Sequence, residues 1–141
     1  MKKETDKQKI GRIGEDTAAR FLVKKGFSVV ERNYRKKWGE IDIIAKKDGI
    51  FRFVEVKTVS CENIRAISSA SPSGRQETTD AYRPEDKVHP WKLKRLGRAV
   101  QTYLLDRNVE EAEWQCDLVT VFLDLKSREA KVELLENIML L

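Results

Sequence analysis

Asp42 interrupts one short apolar run, Ile41-Asp42-Ile43-Ile44-Ala45, and Glu55-Val56-Lys57 ends the next, with Lys47-Asp48-Gly49 as a turn between them. Alternate side chains of a strand point to opposite faces, so Glu55 and Lys57 share a face and a hairpin carries Asp42 alongside them. A carboxylate among β-branched packing residues carries a desolvation cost unless something offsets it, and a divalent cation is the natural offset. Mg²⁺ and Mn²⁺ are hard ions that take oxygen ligands, and Mg²⁺ keeps several waters. Asp42, Glu55 and a backbone carbonyl such as that of Val56 suffice beside a substrate phosphate. Lys57 then faces the attacking water. Two acids and a lysine in this layout predict metal-assisted cleavage of a phosphodiester. An isolated Glu-x-Lys is common on half-exposed sheets. Here Phe53-Val54-Glu55-Val56-Lys57 lies one turn beyond Gly39-Glu40-Ile41-Asp42, and a helix bearing Glu15 precedes both.

The elements that must position these groups follow from periodicity. Ile10 to Lys25 reads as an amphipathic helix, with Gly11, Glu15, Ala18, Ala19 and Leu22 on one face, Phe21 alongside, Glu15 at the border and Gly26 as the stop. Strands are predicted over Phe27–Asn33, Glu40–Lys46 and Ile50–Thr58, forming an antiparallel meander. From Val59 to Asp86 the composition turns to Ser, Thr, Arg, Glu and Pro, which predicts a flexible loop over 59–86, either disordered or a functional flap. A second helix is predicted from Pro90 to Asp106, with Trp91, Leu93, Leu96, Val100, Tyr103 and Leu104 as its buried stripe and Lys92, Lys94, Arg95 and Arg98 on the other face. Trp114–Asp124 and Ala130–Leu135 read as the last two strands, and there is no internal repeat.

At 141 residues, 40% hydrophobic and 36% charged, the chain reads as one globular domain spanning 1–141. No run is long enough to cross a bilayer, and the mixed-charge start leads into no apolar signal core, so a cytoplasmic protein without a membrane partner is expected. Cys61 and Cys116 lie far apart and outside any CxxC pair, which argues against zinc and against a disulfide framework. The single histidine, His89, precedes Pro90 at a helix entrance and reads as a loop or capping residue. The net charge of +5 suits a polyanion. Arg32, Arg35, Lys36 and Lys37 beside Tyr34 and Trp38, together with Lys92, Lys94, Arg95 and Arg98, are candidates for tracking a phosphate backbone, although solvated surfaces look the same. Trp38 and Trp91 suit either base stacking or the core. Glu40 alternates onto the side of Asp42 and is either a further site acid or a strand-end charge. Asp117 is expected to pair with a basic neighbour rather than join the site.

Gly11-Arg12-Ile13-Gly14-Glu15 with Ala18, Phe21 and Leu22, then Arg32-Asn33-Tyr34-Arg35, Gly39 through Ala45, Phe53 through Lys57 and Lys92 through Tyr103, resembles the bacterial YraN family. That family is assigned to the PD-(D/E)xK, restriction-endonuclease-like superfamily, which includes Holliday-junction resolvases. The similarity spans nearly the whole chain except 59–86. It implies an α/β fold with a restriction-endonuclease-like core of order αβββαβ, a mixed central sheet flanked by helices. It also implies that Asp42 and Glu55 are the motif's two acids, Lys57 its lysine, and Glu15 the acid that related resolvases carry on the first helix. Glu15, Asp42 and Glu55 would then hold Mg²⁺ or Mn²⁺. Ile41 replaces the proline that names the motif, and Thr58-Val59-Ser60-Cys61 follows Lys57 where a basic residue is expected. The function so implied is a metal-dependent endonuclease acting on nucleic acid, DNA before RNA. The alternatives are a nucleic-acid-binding module with little or no catalysis and an assembly protein, and a homodimer through the sheet edge is compatible with any of them.

Overall fold

A threonine opens the first element. In the computed structural model, which describes residues 3–61 and 89–138, helix α1 runs Asp6–Lys24, and the Thr5 side chain accepts from the Gln8 N–H while Gln8 reaches back to the Thr5 N–H. This reciprocal cap satisfies two donors that a helix start leaves orphaned, and so the helix begins four residues before the apolar periodicity does. Gly14, rather than Gly11, faces the sheet, because a Cβ at Gly14 would overlap the Thr58 side chain whereas one at Gly11 meets nothing. Strands β1 (Ser28–Lys36), β2 (Gly39–Lys47) and β3 (Ile50–Ser60) follow as the expected antiparallel meander. The β2–β3 turn places Asp48 at φ 54 and Gly49 at φ 78, the pair of positive angles that suits a two-residue hairpin.

Strand β3 continues through Val59 and Ser60, which pair with Phe122 and Leu123, so the predicted loop starts two residues too early. The rest of that loop, up to Asp86, lies outside the described residues apart from Cys61, whose N–H donates to the Leu123 carbonyl. Helix α2 occupies Pro90–Asp106 as predicted, with His89 as its N-cap accepting the Trp91 N–H at Nδ1. Strands β4 (Trp114–Asp124) and β5 (Glu129–Leu135) complete a five-stranded sheet of order β1-β2-β3-β4-β5, in which only β3 and β4 run parallel. A parallel neighbour needs a long crossover, and α2 lies within it.

Among the described residues, α1 and α2 cover opposite faces of this mixed sheet, giving the α/β class and the element order αβββαββ, the expected αβββαβ core with β5 added at its edge. Ile44, Phe53 and Leu118 pack with Leu96, Val100 and Tyr103 of α2, while Ile43, Val54 and Val119 pack with Ala18 and Leu22 of α1. Most of these side chains are fully buried, and each contributes about 2 kcal/mol by leaving water. Trp91 is the exception to the expected stripe, being 60% exposed. At about 100° per residue it stands on the far side of α2 from Leu93 and in line with Arg95 and Arg98.

Candidate active site

The β2–β3 ladder ends at the pair Ile43–Val54, and Asp42 and Glu55 are the next residues outward on each strand. On the other flank of β2, the pairings Arg32–Ile43 and Tyr34–Ile41 bracket Asn33, which adopts φ 55 opposite Asp42. The hairpin therefore forks at the level of the two acids. Asp42 closes the fork with its side chain, since Oδ2 accepts the Val56 N–H at 2.8 Å in place of a ladder bond. Val56 thus supplies an N–H to the site, a contact the sequence does not announce.

Glu55 is 4% exposed, and its Oε2 accepts from Lys92 Nζ at 3.1 Å. Lys92, expected on the solvated basic face, in fact covers an acid. The signal was present, because Lys92 lies one turn before Leu96 and in line with Ala99 and Tyr103, all of them buried. A lysine on the apolar stripe of a helix calls for a partner beneath it.

Burial dominates the electrostatics. It pushes Asp42 up to about 6, against the Val56 hydrogen bond and with the help of the Glu15 charge. Glu55 is pushed up to about 7 by burial first and by the Asp42 charge second, with Lys92 pulling the other way. For Lys92 itself burial disfavours the ammonium, but the charge and hydrogen bond of Glu55, with Asp42 and Glu40 behind them, outweigh it and raise its pKa. Near neutrality, then, the two carboxyls compete for protons and for whatever cation stands over them.

A cavity of about 880 Å³ opens beside the fork, with Glu15, Asp42, Lys57, Thr58 and Lys92 in its wall. Glu55 lies behind Lys92 and is not part of that wall. Gly14 lets α1 approach β3 closely at Thr58, next to Lys57. Glu15 accepts from Arg32 Nη2 at 3.0 Å and from Asn33 Nδ2 at 2.9 Å, and Arg32 also holds Asp16 at 2.7 Å. Arg32 is thus engaged with helix acids at the cavity rim, and Arg35 pairs with Glu40 at 3.3 Å. Lys36 is exposed with its Nζ 5.1 Å from the centroid of the Tyr34 ring, Lys37 is exposed, and Arg95 donates to the Lys37 carbonyl at 3.3 Å. Asp117 stands apart, fully buried, accepting from Arg52 at 3.2 Å and from Gln115 and the Asn137 N–H, each at 2.8 Å. This is the pairing with a basic neighbour that the sequence led us to expect.

Among the described residues no three His, Cys, Asp or Glu side chains gather into a ready cation cage. The donor chemistry would fit an open site instead: Asp42 and Glu55 are two buried carboxylates, both held above their ordinary range, and a divalent ion there would offset their charge with water filling the rest of its shell. Cys61 and Cys116 are unpaired thiols with no part in it.

Fold and site together define a class: a mixed-sheet α/β domain with a buried acid pair at the fork of its central hairpin and lysines beside it. The chain belongs to the uncharacterised protein family UPF0102, the YraN family, whose sequence model matches residues 14–121. It is 33% identical over 111 residues to a UPF0102 protein of Campylobacter jejuni subsp. jejuni serotype O:23/36, covering 79% of this chain and 81% of that one. A UPF0102 protein of Dictyoglomus turgidum is 32% identical over 130 residues, covering 92% and 96%. One from Flavobacterium psychrophilum is 34% identical over 128 residues, covering 91% of each. Among solved structures, Pyrococcus furiosus SfsA in complex with Ca²⁺ aligns with 93% of this chain and 64% of its own at 17% identity and a TM-score of 0.36. No helix among the described residues is long and apolar enough to cross a membrane.

Proposed function

We propose that this protein hydrolyses phosphodiester bonds of nucleic acid with the aid of Mg²⁺ or Mn²⁺. The observation that carries the reading is the acid pair, Asp42 and Glu55, buried at the hairpin fork, with Asp42, Lys57 and Lys92 in the wall of the adjoining cavity and Glu55 behind Lys92. Asp42, with Oδ2 fixed by the Val56 N–H, offers Oδ1 to a cation, and Glu55 offers a second carboxylate. A bound cation would polarise the phosphoryl oxygen and acidify a water. The chain's own groups do the rest. Lys57 orients the attacking water and offsets charge that develops at phosphorus, an effect that is strongest in a partly desolvated, preorganised site. Glu15, oriented by Arg32 and Asn33, sets the negative field at the cavity rim and holds outer-sphere water. Thr58 and the close approach of α1 at Gly14 narrow the wall on the side of Lys57. Arg35, Lys36, Lys37 and Arg95 take the phosphates on either side of the bond that breaks.

The test is cleavage by the purified protein of duplex, flapped, branched, single-stranded DNA and RNA substrates in Mn²⁺. Asp42→Asn, Glu55→Gln and Lys57→Ala should each lower the rate at least about a hundredfold, the scale of losing a preorganised charge from such a site. Unchanged cleavage in all three would assign the activity to a contaminant.

A second reading, a nucleic-acid-binding module with little or no catalysis, draws support from one contact. The Lys92 ammonium already sits on Glu55, where a cation would compete with it. Binding without cleavage in Mn²⁺, abolished by salt, would favour that reading.

A further inference from the structure

Trp91, Arg95, Arg98 and Thr102 follow one another at steps of four, three and four residues, and so make a single stripe along α2, away from the core. Two tryptophans lie on it. Trp91, 60% exposed, carries the Arg95 guanidinium 5.8 Å from its ring centroid. Trp38, 46% exposed, comes from the β1–β2 turn and is anchored by its Nε1 donating to Thr102 Oγ1 at 2.8 Å, while Thr102 in turn donates to the Arg98 carbonyl. Arg95 ties the two ends together, since it also donates to the carbonyl of Lys37, the residue before Trp38. That turn fits against α2 because Gly39 has no side chain, and a Cβ there would collide with the Arg95 carbonyl. Trp38 is therefore fixed by specific contacts, and both indoles keep about half of their surface open to solvent.

We propose that this stripe binds unpaired nucleotides, the bases lying against Trp91 and Trp38 and the phosphates against Arg95, Arg98 and Lys37. Exposed aromatics interleaved with cations are what a single strand needs, since every base has a face to stack and every linkage a charge to neutralise. From Trp91 to Thr102 the stripe is about 16 Å long at the rise of an α-helix, room for roughly five nucleotides at about 3.4 Å each along a stacked strand. It begins one residue from Lys92, which covers Glu55, and about 100° around the helix from it, so a strand lying on the stripe starts within one helical turn of the lysine that caps the acid pair. The proposal thus deepens the phosphodiesterase reading, on which it rests for the path of the strand. It assigns the substrate class as nucleic acid with a single-stranded segment beside the cleaved bond, such as a flap, a branch or a free strand.

The experiment separates stacking from general charge attraction. Fluorescence anisotropy of a labelled oligothymidylate and of a blunt duplex, both titrated with the full chain in EDTA, gives binding without cleavage. Trp91→Ala and Trp38→Ala should each weaken the oligothymidylate by about tenfold, the cost of one lost base stack, and leave the duplex little changed. Trp91→Phe, which keeps an aromatic face, should retain most of the affinity. Arg95→Ala should weaken both probes and lower the salt slope. Equal losses on both probes, or no loss with either alanine variant, would overturn the proposal even if cleavage is found. Selective losses in a protein that never cleaves would uphold the stripe while the phosphodiesterase reading fails.

Discussion

Glu55 and Asp42 are more basic in the folded chain than when exposed, so folding takes up protons as they titrate. Glu55 rises from its ordinary 4.5 to about 7 and Asp42 from 3.8 to about 6. Their protonated forms suit the fold; that stability is present in acid and is lost as pH climbs through the folded values. Metal-free protein should therefore lose stability between about pH 4 and pH 8, and Glu55→Gln, which keeps the shape without the charge, should remove roughly 3 kcal/mol of that loss. Urea unfolding of both proteins across the range measures it, and parallel curves would contradict the burial argument. Lys92 offsets part of the cost. Lys92→Met should destabilise the metal-free protein by about 1 kcal/mol at pH 8, a modest figure because water screens a half-exposed ammonium. It should also enlarge the thermal gain from Mn²⁺, since no ion pair has to yield to the metal. An unchanged gain would mean that Lys92 and the metal do not compete. Both acids were legible in the sequence because a charge inside a β-branched run requires an explanation. Lys92 was not, since the density of neighbouring charges at Lys94, Arg95 and Arg98 hid its place on the buried stripe.

Elements were legible where a period was long and uninterrupted, as over the whole of α2 and β4. Their ends were missed where local chemistry overrides the period: the Thr5–Gln8 cap lengthens α1, and pairing with β4 carries β3 past Thr58. A subtler miss concerns the glycines of α1, and it yields a prediction of opposite signs. Gly11 is exposed with open space around it, so Gly11→Ala should stabilise by up to about 1 kcal/mol through helix propensity and a less mobile unfolded chain. Gly14→Ala gains the same propensity but drives a methyl into Thr58, and overpacking of that kind costs about 1–3 kcal/mol. Guanidinium unfolding of the two variants should give midpoints on opposite sides of wild type. Since Thr58 adjoins Lys57, Gly14→Ala should also slow cleavage beyond its effect on folding, while Gly11→Ala should not.

At the scale of the molecule, the class and the αβββαβ core could be anticipated from the family resemblance and β5 from its own pattern, but the strand order could not be read from periodicity. A strand's pattern records which faces are buried and leaves its neighbours undetermined. What the whole fold adds is rigidity under an electrostatic load. Two cores clamp the sheet from opposite faces, and the fork lies at the level where the two central strands part company. Buried at that level, the acids find relief in a proton or in the Lys92 ammonium, and under the proposed function a divalent cation would add a third source. Mn²⁺ binding only to the folded chain at about a hundred times its dissociation constant should add about 2.7 kcal/mol, or roughly 8 °C in Tm for a domain of this size. Because the ion must displace protons held near neutrality, the gain should be small at pH 5.5 and full at pH 8, a direction set by folded values of about 6 and 7. The double variant Asp42→Asn with Glu55→Gln should show no gain at either pH, and Mg²⁺ should act in the same direction. A thermal scan of the wild-type protein that does not move in millimolar Mn²⁺ at pH 8 would remove the metal from this site and leave the acid pair answered by Lys92 alone.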